Sequence, residues 1–522
     1  MSAATPTRTT DSARAASRLA VPLLGFLAAL QVSDPNIANT AFLGAKRGLQ
    51  MSVGQATLAL SISTLALSAT VISTGLLADR LGRRKVLVSA LLLTVIGDLV
   101  VALAPGTTIF LVGRAVAGVG LGAVFGASFA YIRAVVPATG IPGAMGVYAA
   151  TTGLASLVLT FVGGPLATLN WRLAFVVIPA MSLLAIPAPL ALLPAQKANK
   201  AGKQDLIGQF LLAFGVIAFL YGISQISRSF SGLGALGPLL AGVLLLAGFF
   251  VYEARNSNRF FPVSLFREPL FVAAVFIGMV YNFDNALGFL QLANLWQYIT
   301  ELNTFEVSLW QLPMLLSGIV AALIFGRLMS HGMSNRTAVL VGAVSMAMGF
   351  GYLALSHSSR TIWGFLFGVI LLGVGIIVMS LPYGNLIIGQ APKQYFGPVT
   401  SSRTTIGQFF YSIGLAVGAI IVDRITDGGT VARLIRAGVP PTETGAALDA
   451  VTAYASRSTA PTTSLGKAAL SDAIVSYGSG FALAMGVGAV VSLVGGLVAA
   501  WLLRKGNDAH GVVRDDPVHT AA

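Results

Sequence analysis

The sequence predicts an all-α integral membrane protein of fourteen transmembrane helices. Composition is the first observation: 56% of the 522 residues are hydrophobic, 10% are charged, and the mean hydropathy is +0.83, a balance that a water-soluble domain does not reach. The second is periodicity of a coarse kind. Fourteen apolar windows of about membrane-spanning length follow one another between polar or Gly/Pro breaks, at 19–44, 54–78, 86–105, 108–132, 143–168, 172–194, 205–225, 234–253, 269–297, 306–330, 337–356, 361–390, 399–423 and 474–503. The third is charge: with the amino terminus inside and the windows alternating, twenty of the 32 Lys/Arg fall on the inner side and ten on the outer, as the positive-inside bias requires.

Helices are expected rather than strands because each run is long and continuous, and a bilayer obliges every segment to satisfy its own backbone hydrogen bonds. The polar stretch 1–18 reads as a cytoplasmic tail and 506–522 as another. Residues 195–260 read as a linker loop, "PAQKANKAGKQD" at 194–205, followed by two additional helices. They separate an N-terminal six-helix unit at 19–194 from a C-terminal one at 261–505. A long outer loop at about 425–470 is expected to carry short amphipathic helices in "VARLIRAGV" and "AALDAVTAYA".

Several function classes drop out. The net charge of +14 is spread singly or in small groups between apolar runs, which marks topology and not a nucleic-acid surface. There is no cysteine and only four scattered histidines, so thiolate chemistry is excluded and no metal site is expected. No phosphate-binding G-x-x-x-x-G-K-[ST] loop and no other cofactor motif is present. Transport work would therefore draw on an ion gradient, each inward proton contributing about 2.3 kcal/mol per 100 mV.

The densest charge in the first half is "GLLADRLGRRK", residues 75–85, in an inner loop. Topology accounts for Arg80, Arg83, Arg84 and Lys85 but not for Asp79. An acid beside bases, with Gly75 and Gly82 permitting close approach and a turn, suits a latch that pairs with arginine or caps a neighbouring helix in one conformation only. The stretch resembles the loop motif G-x-L-A-D-R-x-G-R-R/K of the major facilitator superfamily, matched at Gly75, Leu77, Ala78, Asp79, Arg80, Gly82, Arg83 and Arg84. The helix count is similar to its fourteen-helix drug:proton antiporter branch. "SDPNIANTA" matches that branch's first-helix motif at Asp34, Ile37, Asn39 and Ala41. "GRAVAGVGLGA" matches its fourth-helix motif at Arg114, Gly118 and Gly120. The fifth helix and following turn match at Gly153, Gly163, Gly164, Trp171 and Arg172, but Leu159-Thr160 replaces the branch's Gly-Pro pair. The second-half counterpart of the loop, "GRLMSHGMSNR", has Ser330 and His331 where acid and base would stand.

The resemblance implies two six-helix bundles plus two extra helices, and a proton-coupled antiporter in the cell (inner or plasma) membrane. Such a protein exports small amphipathic compounds as a multidrug efflux system. Its partners would be a small-molecule substrate, protons and the lipid bilayer, with a periplasmic adaptor left open. A dedicated exporter or importer of one metabolite, and a non-transporting scaffold or sensor, remain alternatives.

Acids inside hydrocarbon are expensive and mark function by default. Asp34, followed by the helix-kinking Pro35, is expected to carry the proton with Arg114 as its partner, against the alternative of a polar anchor held by Ser33 and Asn36. Asp98 is expected in the outer part of its helix within reach of water. Asp284, with Tyr281 and Asn282, is expected to hold substrate. Gly118, Gly122 and Gly126, with Gly163 and Gly164, are expected to pack helices.

Overall fold

The computed structural model describes residues 8–51, 53–195, 205–226, 232–300, 302, 304–359, 361–457 and 462–504. The expected 506–522 tail lies outside them, as does most of the 194–205 linker. Among the described residues the chain is helical throughout, with no strand, and thirteen helices are long and apolar enough to cross a membrane.

The first unit comprises α1 (Arg8–Gly48), α2 (Val53–Leu81), α3 (Arg83–Ala102), α4 (Thr107–Val135), α5 (Ile141–Leu169), α6 (Trp171–Ala185) and the short α7 (Pro187–Leu192). Two further helices follow, α8 (Leu206–Ile226) and α9 (Leu233–Arg255). The second unit comprises α10 (Pro269–Tyr298), α11 (Thr304–Ser330), α12 (Asn335–Leu355), α13 (Leu366–Gln390), α14 (Phe396–Arg436), α15 (Thr444–Arg457) and α16 (Ser464–Leu502). Helix α1, whose apolar run carries Pro22 and Pro35, is not among the thirteen.

Within the first bundle α4 packs on α2 and α3, and α1 on α5. Within the second, α12 packs on α13 and α16, and α14 on α10 and α16. The extra pair α8–α9 lies against α2 and α14, where the Phe219 and Phe409 rings stand 4.7 Å apart, so it flanks the seam between bundles.

Three sequence expectations change. Helix α1 begins at Arg8, so part of the expected 1–18 tail is helical. Helix six divides at Ile186, before Pro187, which cannot supply the hydrogen bond to continue it. The expected 425–470 loop is mostly helix: α14 and α16 run 41 and 39 residues, about 60 Å at 1.5 Å per residue, far beyond the hydrocarbon thickness. "VARLIR" is the last part of α14 rather than a separate surface helix. Their projecting ends clasp α15 around Leu434, Ala447 and Ala469, a small core of its own.

Glycine packing holds the first bundle together. A Cβ on Gly118 or Gly122 would meet Ser63 or Leu67, successive turns of α2, and one on Gly126 would meet both Val71 of α2 and Ser401 of α14, so the ladder seats α4 on α2 and, at its inner end, against the other bundle. Gly163 stands against Ile37 of α1, but open space lies beside Gly164. One residue further round the helix turns it off the packed face, and it is not a packing position.

Candidate functional site

Two polar constructions stand out. The first is buried inside the N-terminal bundle. Arg114, in the second turn of α4, meets Asp34 of α1 with both guanidinium ends, Nη1 to Oδ1 at 2.6 Å and Nη2 to Oδ2 at 3.0 Å. Ser63 of α2 donates to the same carboxylate at 3.2 Å. Arg114 is 1% exposed and Asp34 4%. A fork-to-fork pair of this kind is the strong form of ion pair, and removing one partner from such a pair costs about 3–5 kcal/mol. The Phe175 ring of α6 lies 5.5 Å from the guanidinium carbon. Ser33 and Asn36 do not hold Asp34; they bond the helical carbonyls of Ala29 and Val32.

Asp98 of α3 is also here, 3.9 Å from Arg114 Nη1. It is 1% exposed, and neither carboxylate oxygen has a hydrogen-bond partner among the described residues. The expectation that water reaches it is corrected. Preceding Gly97 lets α4 approach so closely that a Cβ there would lie 2.7 Å from Ala117 Cα, and this crossing closes over Asp98.

The second construction is the 75–85 loop. Gly82 turns the chain with φ 95°, a left-handed conformation that favours glycine. Asp79 pairs with Arg83 at 2.9 Å and accepts a hydrogen bond from the backbone N–H of Gly397, in the first turn of α14. The acid of one bundle therefore caps the positive end of a helix in the other. Gly75 stands where a Cβ would lie 2.6 Å from the Gly397 carbonyl oxygen. Arg83 and Arg133 both lie over the Phe396 ring, and Arg133 donates to the Ala391 carbonyl. Arg84 reaches the carbonyls of Leu190 and Leu193, and Arg80 is half-buried in the last turn of α2.

The counterpart in the second bundle repeats the geometry without the acid. Gly332 turns the chain with φ 113°. Gly326, at the end of α11, and Gly146, near the start of α5, approach so closely that a Cβ on Gly146 would lie 2.8 Å from Gly326 Cα. Ser330 and His331 bond only their own helix end. Further contacts join the halves on this same side: Thr405 to the Ser68 carbonyl, and Gly384 against Met145.

Above that seam lies a cluster that contains two of the residues expected to hold substrate, Tyr281 and Asn282, around an arginine that the sequence reading does not assign. Arg403 of α14 sits between the Phe129 ring of the first bundle at 4.8 Å and the Tyr383 ring of the second at 5.0 Å. Tyr281 is 6.4 Å from Tyr383, and Tyr148 6.1 Å from Phe129. Asn282 stands against Gly407 and donates to the Gly278 carbonyl. Asp284 is not with them. It is 0% exposed and accepts a hydrogen bond from Ser492 of α16 at 2.7 Å. The close crossing of α14 on Phe283 at Gly414 leaves residue 284 facing α16 inside the C-terminal bundle, so the expected substrate contact is corrected for this conformation.

Two helical bundles that meet across a seam, with thirteen membrane-length helices among the described residues, define a multi-pass membrane protein. A profile of the Major Facilitator Superfamily matches residues 23–419, and the chain belongs to that superfamily. It is similar to the methylenomycin A resistance protein of Bacillus subtilis, 26% identical over 414 residues and covering 78% of this chain and 87% of that one. It is also similar to the tetracenomycin C resistance and export protein of Streptomyces glaucescens, 26% identical over 452 residues, covering 83% and 82%. Among solved structures, the human organic anion transporter MFSD10 superposes with a TM-score of 0.59 at 13% identity, covering 94% of this chain and all of that one, a likeness of fold.

Proposed function

We propose that this transporter is a proton-coupled exporter of small amphipathic compounds that works by alternating access. In this reading it lies in the cell membrane with both termini cytoplasmic, and α1 supplies a fourteenth crossing. The observation that carries the reading is the buried Asp34–Arg114 pair. A carboxylate held by a guanidinium in an apolar interior changes its proton affinity sharply when that partner moves or water enters. Rearrangement of the bundle around it therefore loads and releases a proton. In this arrangement the Asp79–Gly397 latch is closed, the inner face is shut and substrate leaves outward. Arg403 with Tyr281, Asn282 and Tyr383 forms the floor on which an aromatic or polar-headed compound rests.

Proton-driven dye or drug efflux from vesicles tests this. Asp34→Asn is expected to abolish uphill export and Asp79→Asn to slow it; wild-type rates in both would overturn the mechanism. A narrower reading is favoured by two observations: α5 runs unbroken through Leu159-Thr160, and the two relatives named above carry names of single antibiotics. Here the chain exports one compound class. A resistance panel separates the two, since protection against many unrelated compounds supports broad efflux and protection against one supports the dedicated exporter.

A further inference from the structure

The Asp34–Arg114 centre contains one base and two acids. Arg114 divides its guanidinium between Asp34, bound bidentately at 2.6 and 3.0 Å, and Asp98, approached only to 3.9 Å. The other neighbours are neutral: Ser63 from α2 bonds Asp34, and Phe175 from α6 lies beneath the guanidinium. With both carboxylates ionised the pocket would hold a net negative charge in hydrocarbon, and Asp98 would hold it without a hydrogen bond from any of the described residues, an arrangement that desolvation strongly opposes. One proton added to the group makes it neutral.

We propose that Asp98 is a second proton site of this centre, and that it holds the proton while Arg114 is committed to Asp34. The proton then exchanges between the two acids as Arg114 changes partner. The O–H bond on Asp98 breaks, one forms on Asp34, and the guanidinium passes from Asp34 to Asp98. Net charge stays at zero in both arrangements, so the switch moves no uncompensated charge through the bundle. Arg114 Nε, which has no hydrogen-bond partner here, becomes available to Asp98 as the side chain turns. This rests on the transport reading only for its purpose, because the proton's position is measurable without transport.

Infrared spectroscopy of the purified full-length chain in lipid nanodiscs at neutral pH reads protonated carboxyl and ionised carboxylate separately. Wild type minus Asp98→Asn is expected to show the loss of one protonated carboxyl. Wild type minus Asp34→Asn is expected to show the same loss, although Asp34 is itself the ionised partner, because Arg114 is then freed to take Asp98. Asp98→Glu is expected to keep the protonated band, shifted. Loss of an ionised carboxylate on removing Asp98, or a protonated band that survives Asp34→Asn, would overturn the proposal; should Asp98→Asn fail to fold, the Asp34→Asn and Asp98→Glu arms still decide it. Vesicle assays separate the two readings. Expected spectra with no proton-driven export would sink the transport mechanism and leave the second proton site standing.

Discussion

The Asp79 carboxylate at the end of α2 accepts the backbone N–H of Gly397 across 318 residues of sequence. Its pseudo-symmetric counterpart, the α11–α5 crossing at Gly326 and Gly146, has the same close backbone approach and no acid in its loop. The seam thus has two crossings of similar shape, and only one can be released by weakening a hydrogen bond to an acid.

Replacing Asp79 with Asn keeps the side-chain shape but removes the charge from the α14 terminus and from Arg83. A charge–dipole contact of this kind contributes about 1 kcal/mol, which corresponds to a roughly five-fold shift between arrangements. Spin labels at the ends of α2 and α14 are expected to report a larger separated population. An unaltered distance distribution would mean the capping bond does not bias the seam.

Steric closeness predicts a separate effect. Gly397→Ala places a methyl against Gly75 and the Asp79 carboxylate oxygen, 2.6 Å from the latter, with no flexible group to yield on the Gly75 side. The crossing is expected to open and export to fall. Gly164→Ala, which meets nothing within 4 Å, is the control and is expected to export at the wild-type rate.

The chain has no cysteine, so an introduced pair reports cleanly. A Cβ on Gly153 would lie 3.1 Å from Ile319 Cγ1 across the seam, so side chains at the two positions face each other in contact. The Gly153→Cys/Ile319→Cys chain is expected to cross-link in the resting state and to stop exporting until reduced. Failure to cross-link under oxidation would show that this side of the seam rests open.

Removing Arg114 leaves two acids in the bundle interior. Arg114→Met is expected to destabilise the protein by about 3–5 kcal/mol, measured as loss of folded protein on heating in detergent. Adding Asp34→Leu and Asp98→Leu is expected to restore most of that stability, because no buried charge remains to be compensated, while proton-driven export stays absent. If the triple variant were as unstable as the single one, packing rather than charge would be the reason for Arg114.

Two juxtapositions of side chains are legible in the sequence. Asp34 and Arg114 were paired because each was a charge in an apolar run, and the structure sets them 2.6 Å apart. Topology does not account for Asp79, which suits either a pair with arginine or a helix cap, and it makes both contacts. Asp98, Asp284 and Arg403 were misjudged or left unassigned. The two acids are placed in the sequence only by depth along their own helices, and depth says nothing of the direction in which a side chain points. Gly97 beside Ala117 buries Asp98, Gly414 beside Phe283 sets the packing that turns Asp284 to Ser492, and α4 and α13 bring Phe129 and Tyr383 to Arg403.

Hydropathy, loop charge and turn glycines determined, from the chain alone, that this is a helical membrane protein with a charged inner loop, because these are properties of contiguous residues. The tertiary structure decided which acids share one arginine, which helix end Asp79 caps, and that the extra pair α8–α9 flanks the seam. Those depend on the rotation and crossing of helices distant in sequence, set by where glycine lets two backbones meet.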